Sequence, residues 1–481
     1  MPSKNTFFTT CEDCIGLGKK KRRIKKSVRL RYQSDLAIFE KSNGQGSAPV
    51  RPEAHLYTCP TCGGSGLAAC EHQPLPDTEN LPHIAIVGGG IGGVALAVAC
   101  LHRGIPFTIY ERDNSFTERS QGYGLTLQQA SKAMDGFGIF ELEKGVVSTR
   151  HLVHTPEGKV IAEWGMRKWL ENSEKSAPKK SNIHIARQSL RSAFIERLGG
   201  ADQIKWGHQL IDFNENKDGK MDLTFLSNGK STTASADLIV GADGIRSAVR
   251  NILIGEEISP LRYLDCIVIL GICPLDSLAA TERHLLDSAT VFQTANGNER
   301  IYAMPFDADS VMWQLSFPMP EQEAKDLSSK GSAALKEEAI RRTNWHAPVP
   351  EIIRATLANQ ISGYPVYDRA LLTPGSMGDF GNVTLIGDAA HPMSPFKGQG
   401  ANQALLDALA LARDISRKCS PMSGWKEEGL RKRVLDDFEL EMIQRSSVKV
   451  EDSAAAAQFL HSEIALYEGN EPRGRVLKRK D

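Results

Sequence analysis

Six residues, Gly88-Gly89-Gly90-Ile91-Gly92-Gly93, constrain this chain more than any others. They satisfy G-x-G-x-x-G through Gly88, Gly90 and Gly93. The run before them, His83-Ile84-Ala85-Ile86-Val87, is short and apolar, fit for a buried parallel strand. The segment Ile91 to Arg103 predicts a helix that stops at Gly104, and Phe107-Thr108-Ile109-Tyr110-Glu111 predicts a second strand. In such a βαβ unit the first glycine permits a tight turn and the second lets the backbone approach a pyrophosphate. The third lets helix pack closely on strand, and the helix N-terminus offers partial positive charge to phosphates. Glu111, 18 residues after Gly93 at the end of the second strand, can accept hydrogen bonds from ribose hydroxyls. A glycine-rich turn in another α/β protein would not require strand, helix and acid together.

The 481 residues suffice for two to four domains with large cores. Basic and acidic residues balance at 58 each, which argues against wholesale binding to nucleic acid or an anionic membrane. No run reaches the roughly 18 apolar residues of a membrane span. The start, MPSKNTFFTTCEDC, lacks a basic-then-apolar secretory pattern. Nine cysteines, an odd number, do not read as a disulfide framework, so a cytoplasmic protein is expected.

Two more glycine-bearing segments follow buried-strand runs. Leu238-Ile239-Val240 leads into Gly241-Ala242-Asp243-Gly244-Ile245-Arg246-Ser247, and Val383-Thr384-Leu385-Ile386 leads into Gly387-Asp388-Ala389-Ala390-His391-Pro392. With the first motif, in this order, they make residues 82 to about 415 resemble the single-component FAD monooxygenases related to p-hydroxybenzoate hydroxylase. There is no second G-x-G-x-x-G, which argues against a separate nicotinamide-binding domain.

The resemblance implies an α/β fold: a Rossmann-type FAD-binding domain with an inserted antiparallel-sheet substrate domain, a small N-terminal zinc ribbon and a C-terminal helix. The expected division assigns residues 1–80 to the zinc-ribbon-like module and linker. Residues 81–150, 181–262 and 363–415 form the FAD-binding domain, 151–180 and 263–362 the substrate domain, and 416–481 a C-terminal helical region. By position, Glu111 resembles the residue that holds the adenosine ribose, with Arg112 beside the adenine. Gly124 matches a flavin-side loop and Arg187 an arginine placed on FAD. Asp243 matches an acid associated with the pyrophosphate and with NAD(P)H handling, and Asp388 the acid that binds the ribityl chain. Asp also favours turns and helix caps, the plain alternative for Asp243 and Asp388.

Independently of the resemblance, Ala401, Ala404, Leu405, Ala408, Leu409, Ala412 and Ile415 keep helical spacing, which predicts a helix beginning near Gly400-Ala401-Asn402. Its free N–H groups and positive dipole end face whatever the Lys397–Gly400 loop approaches. In the resembling enzymes that object is the flavin, and Pro395 flanks its ring or simply stiffens the loop.

The implied function is NAD(P)H- and dioxygen-dependent hydroxylation of a phenol-like aromatic molecule through a flavin C4a-hydroperoxide. A reductase or halogenase of the same fold, or a non-catalytic zinc-ribbon adaptor, is the alternative. The pocket is expected between the FAD domain and the antiparallel sheet of residues 263–362; Tyr302, Met304, Trp313 and Phe317 lie on strands there, although most aromatics at such spacing are core residues. Many relatives carry an arginine immediately before the glycine of the strand Asp265–Gly271; Leu270 stands there in this chain, which points to an apolar pocket wall. The sequence assigns no catalytic acid or base, and His391 reads as a packing or capping residue.

Near the N-terminus, Cys11-x-x-Cys14 with Gly16 and Gly18, and Cys59-x-x-Cys62 with Gly64 and Gly66, are two copies of CxxCxGxG. Residues 11–66 resemble half-repeats of the zinc-binding region of J-domain chaperones. Four thiolates suit tetrahedral zinc at about 2.3 Å, with Cys70 and His72 as substitute ligands and redox chemistry as the other reading. Cys100, Cys266, Cys273 and Cys419 read as structural. The chain between the pairs is expected to form a β-hairpin carrying the basic run, in which nine of the thirteen residues 19–31 are Lys or Arg. That run suits nucleic acid, an acidic partner, an anionic substrate or a nuclear address, and equally a solvated strand.

Overall fold

The computed structural model describes residues 6–43, 46–52, 54–118, 123–165, 182–280, 283, 285–377, 381–421 and 423–472. The end of the expected C-terminal region, 473–481, and half of 151–180 lie outside them. Five parallel strands form one sheet, in the order Ile204–Lys205, Phe107–Tyr110, Ile84–Val87, Leu238–Gly241 and Val383–Leu385. Every residue of Ile84–Val87 and Leu238–Gly241 is buried, as both-face coverage of a parallel sheet demands. The helices Ile91–Leu101 and Gly400–Lys418 pack against each other over this core. The sequence reading did not mark out a three-stranded meander, Gln209–Glu215, Met221–Ser227 and Lys230–Ala236, which is fastened to the parallel sheet by Tyr110 stacking on Phe225 at 4.3 Å.

A second sheet has seven strands, in the order Val160–Trp164, Arg150–His154, Thr290–Ala295, Arg300–Pro305, Ser310–Pro318, Leu261–Pro274 and Ile361–Arg369. It is antiparallel as expected, except that Thr290–Ala295 runs parallel to Arg150–His154. Helices Glu321–Ser329, Ser332–Arg342 and Val349–Ala355 supply apolar residues to the core on one face, where Trp313 is fully buried and donates to Thr356 Oγ1 at 2.9 Å. Trp313 and Phe317 are therefore core residues, not pocket residues. A Cβ on Gly271 would lie 2.3 Å from the Trp313 ring, so this strand needs its glycine. The C-terminal region supplies a helix, Asp436–Phe459, packed on Gly400–Lys418. Among the described residues no helix is long and apolar enough to cross a membrane.

The N-terminal module is built from two strand pairs, Phe7–Thr10 with Leu67–Cys70 and Lys19–Lys21 with Leu56–Thr58. The expected hairpin is thus present only as the second pair. Between its strands stands a helix, Lys26–Lys41, with no buried residue. That segment is free of Gly and Pro, and nine of its sixteen residues are Lys, Arg, Leu, Gln, Glu or Ala, so intrinsic propensity favours helix there without tertiary support. The module docks through Phe8, which lies against His102, Phe140 and the Arg197 guanidinium, and through Arg197 Nη2 donating to Thr6 O at 2.7 Å.

Candidate active site and candidate metal centre

A cleft of about 1130 Å³ is lined by the carboxyl ends of the parallel strands and by one wall of the seven-stranded sheet. A single drug-sized ligand needs roughly 300–1,000 Å³. All the proposed cofactor residues line this cleft except Gly93 and Asn402.

Gly88 has φ 110°, and a Cβ there would meet the Ala242 carbonyl at 2.5 Å. Gly93 sits behind the turn, where a Cβ would lie 1.9 Å from the Gly88 carbonyl oxygen, so its role is close packing of helix on strand. At Gly90 the nearest atom to a Cβ is Arg187 Nη2 at 3.8 Å, which leaves the backbone accessible from the cleft. Glu111 is buried: Oε2 accepts from Gly89 N at 2.7 Å and Oε1 from Asp113 N at 3.0 Å. A carboxylate accepts about four hydrogen bonds, so capacity remains for hydroxyls on its cleft side. Arg112 is exposed at the rim. Arg187 begins the helix Arg187–Leu198, and its N–H donates to Tyr123 O at 3.1 Å beside Gly124.

The two candidate aspartates differ. Asp243 caps the helix Ala248–Ile258, accepting from Ala248 N at 2.7 Å, Val249 N at 3.2 Å and the Ser247 hydroxyl. Asp388 has no hydrogen-bond partner among the described residues. Its carboxylate opens into the cleft, and its Oδ1 would lie 3.4 Å from a Cβ on Gly400. Enclosure by the protein raises its pKa, against the pull of His391 and Arg187.

Asn402 is fully buried and uses all its hydrogen-bonding capacity inside the protein. Oδ1 accepts from Gln128 N at 2.8 Å and Ala130 N at 3.1 Å; Nδ2 donates to Thr126 O at 2.8 Å and Gly398 O at 2.9 Å. It pins the helix Gly400–Lys418 to the strand Gly124–Leu127, while Gly400 and Ala401 turn their backbone to the cleft. Behind the same loop, Asp407 Oδ2 accepts from Gly387 N at 2.9 Å and lies 2.7 Å from His391 Nε2; its Oδ1 accepts from Arg445 at 2.8 Å. Burial opposes ionisation of Asp407, but His391 and Arg445 outweigh it and hold the carboxyl below its ordinary range. Sequence reading gave His391 its packing role but missed Asp407, which looked like one polar residue on a helix.

The cleft also carries groups that sequence reading missed: His151, Trp164, Gln293, Arg300, Gln314 and Tyr364 on the seven-stranded sheet, and His184 on the strand Ile183–Ala186, which pairs with Gly124–Leu127. No motif marks them; strand alternation alone turns them inward. His184 Nδ1 lies 3.0 Å from Thr126 Oγ1, and its buried Nε2 has no partner. Burial lowers His184 to about 3 and His151 to about 4, so both are neutral at neutral pH.

At the other end of the two packed helices, the Sγ atoms of Cys11, Cys14, Cys59 and Cys62 lie within 4.8 Å of one another, with Cys14 and Cys62 at 3.7 Å. A tetrahedron with metal–sulfur bonds of about 2.3 Å has edges of about 3.8 Å. Cys70 points instead to the His72 carbonyl and stands outside the cluster, as does His72. The two half-repeats interlock: Cys11 N donates to Gly66 O and Cys59 N to Gly18 O, while Gly18 and Gly66 N–H groups point to Cys14 and Cys62 Sγ at 3.2 and 3.3 Å. A Cβ on Gly18 would lie 2.1 Å from Gly64 O, and one on Gly66 2.3 Å from Gly16 O. Burial opposes ionisation of Cys62, yet the N–H groups of Gly64 and Gly66 help bring its thiol down to about 7. Buried Arg103 and half-buried Arg413 lie beneath. Arg103 leaves Nε and Nη2 unpartnered, and Arg413 leaves Nε unpartnered while donating through Nη2 to Ser65 O at 3.2 Å. Burial, with Arg413 nearby, lowers Arg103 to about 9, and the cysteines pull the other way on both arginines. A tetrathiolate centre with a divalent metal carries two negative charges, the complement of this pair.

The family model described as "FAD binding domain" matches residues 82–430, beginning just after the cysteine module. The chain is 30% identical over 361 residues to the Aurachin C monooxygenase/isomerase of Stigmatella aurantiaca, covering 74% of this chain and 86% of that one. It is 28% identical to the 3-amino-4-hydroxybenzoate 2-monooxygenase PtmB3 of Streptomyces platensis, over 70% of this chain and 80% of that one. In fold it is similar to a Klebsiella pneumoniae HpxO variant complexed with FAD, with TM-score 0.66 and 19% identity over 83% of this chain and 97% of that one. The chain belongs to the FAD binding domain family. It is an FAD-dependent monooxygenase of the aromatic-hydroxylase type.

Proposed function

We propose that the chain hydroxylates a phenol-like aromatic molecule with NAD(P)H and dioxygen, and that its N-terminal module holds one zinc ion. In the balanced reaction one oxygen atom replaces a ring hydrogen as hydroxyl, the other leaves as water, and NAD(P)H supplies two electrons. Support for a phenol comes from the similarity to the Streptomyces relative, a 3-amino-4-hydroxybenzoate 2-monooxygenase. Nine free thiols favour a reducing compartment, the cytoplasm.

The observation that carries this reading is the convergence in one cleft of a glycine cradle at Gly88–Gly90, a helix N-terminus at Gly400–Ala401 and an unpartnered Asp388. Gly88, Gly90 and the start of the helix Ile91–Leu101 would hold the FAD pyrophosphate, with Asp243 shaping the adjoining turn. Glu111 would hold the adenosine ribose with Arg112 beside the adenine, and Asp388 the ribityl hydroxyls. Arg187 and Gly124 would flank the flavin side. Once bound, FAD supplies the redox chemistry that activates dioxygen. The protein's part is to favour negative charge at the helix N-terminus, which Asn402 fixes in place. Its sheet wall, with Leu270, Met304 and Met312, excludes water. His184, neutral at working pH, serves as a hydrogen-bonding partner for a substrate oxygen, because a base of such low pKa is weak. The parallel-sheet region thus acts as the cofactor half and the seven-stranded sheet as the substrate half.

The test is a visible spectrum and zinc analysis of one purified sample, followed by a screen of phenols for stimulated NADH or NADPH oxidation. Oxidised-flavin bands near stoichiometry with phenol-stimulated turnover support the reading. A colourless protein that cannot be reconstituted with FAD overturns it. Protein without zinc overturns the metal assignment.

A further inference from the structure

On the cleft wall formed by the seven-stranded sheet stands a buried cation with no acid beside it. Alternation along paired strands turns Gln293, Arg300, Tyr302 and Gln314 inward, with Tyr302 opposite both glutamines in register. Arg300 is only 5% exposed. Its Nε donates to Gln293 Oε1 at 2.8 Å, and its guanidinium lies over the Tyr302 ring, 4.9 Å from the centroid. No carboxylate pairs with it among the described residues. Gln314, 7% exposed, has a buried Nε2 without a hydrogen-bond partner.

Burying a guanidinium without an anion is unfavourable, and an orphaned amide N–H beside it adds to the cost. Burial lowers Arg300 only to about 10, so it stays charged at neutral pH. Arg369, equally buried, is by contrast matched: it pairs with Glu256 at 2.9 Å and donates to two backbone carbonyls. The apolar wall expected at Leu270 is one part of this surface. Leu270, Met304 and Met312 do line the cleft, but Arg300 on a neighbouring part of the sheet brings a charge to the same wall.

We propose that Arg300 and Gln314 form an anion subsite, so that the aromatic substrate presents an oxyanion, a carboxylate or an ionised hydroxyl, to the guanidinium and the free amide N–H. Apolar Leu270, Met304 and Met312 would then meet the ring. This rests on the monooxygenase reading of the cleft and specifies the substrate class it accepts.

The experiment titrates FAD-loaded full-length protein with three probes, following the flavin absorbance. They are 4-hydroxybenzoate, its neutral amide 4-hydroxybenzamide, and pentafluorophenol, which is ionised at neutral pH. At least one anionic probe should bind about tenfold or more tightly than the amide. Preference for 4-hydroxybenzoate identifies a carboxylate, and preference for pentafluorophenol an ionised hydroxyl. Arg300→Gln should reduce that preference about tenfold, with Arg300→Lys restoring part of it. Gln314→Glu, which opposes an anion without removing the arginine, should also abolish the preference, and it decides the matter if Arg300→Gln fails to hold FAD. FAD-loaded wild-type protein with no anion preference, or with no response to any probe, overturns this inference alone. A preference that survives in the variants does the same. Wild-type protein that binds no FAD overturns the monooxygenase reading and this inference with it.

Discussion

Arg413 Nη2 donates to the Ser65 carbonyl at 3.2 Å, joining the helix that starts at the cofactor cleft to the module that gathers the four cysteines. With the buried Arg103 it places two guanidinium groups beneath those thiols. Replacing Arg413 by Met removes one positive charge and a charged hydrogen bond, an interaction of about 1.5–3 kcal/mol. Zinc release to a chelator should speed about tenfold or more, with Arg413→Lys intermediate and FAD stoichiometry unchanged. Equal release rates in wild type and variant would refute the pairing.

The interlocked glycines predict a sharper effect. Gly18→Ala places a methyl 2.1 Å from a backbone carbonyl at a residue with φ 69°, so the module must open. Metal analysis should find zinc lost from this variant while the flavin spectrum persists. A Gly18→Ala protein with full zinc content would show that the two half-repeats are not held this way.

Asn402→Ala should separate the helix N-terminus from the strand Gly124–Leu127. It leaves the half-buried Gln128 and buried Ala130 N–H groups without their acceptor, at about 1–3 kcal/mol for the buried one. FAD affinity, measured by fluorescence titration, should fall at least tenfold, although the side chain itself does not line the cleft. An unchanged affinity would refute the clamp.

Asp407 predicts the pH dependence of the same loop. Its carboxyl is depressed in the folded protein, so its contribution to stability is full above the unfolded value near 4 and is lost as pH falls below it. Asp407→Asn should destabilise the protein by about 3–5 kcal/mol at neutral pH, because it breaks a buried charged network. Denaturant midpoints of wild type and variant should converge on acidification below about pH 4. Parallel curves would count against the ion-pair account.

Much of this architecture was legible because it depends on local rules. The strand, glycine turn and helix at 83–103, the acid at Glu111 and the helix from Gly400 each follow from short-range pattern, and the structure holds them within a residue or two. The four-cysteine cluster was legible because the motif repeats. Long-range pairing leaves no such trace. Nothing in Thr290–Ala295 announces that it will run parallel to Arg150–His154. Arg300 reads as one more charge after an Asn-Gly turn until its neighbours bury it. The helix Lys26–Lys41 was missed because its apolar stripe, Val28, Tyr32, Leu36 and Phe39, is thin and follows a basic run, and none of its residues is buried. Trp313 and Phe317 could not be told from pocket aromatics, although core is the commoner place for them, because strand alternation does not say which face meets the cleft.

Because each half of the cysteine module is latched to the other by backbone contacts, its covalent continuity through residues 26–41 is structurally dispensable. A protease cut within that exposed helix should leave a nicked yet assembled protein, its two fragments separable only after the thiols are alkylated or unfolded. The same property makes the segment a tolerant insertion point, where a peptide tag or reporter of ordinary length adds little closure entropy and stays far from the oxygenation chemistry.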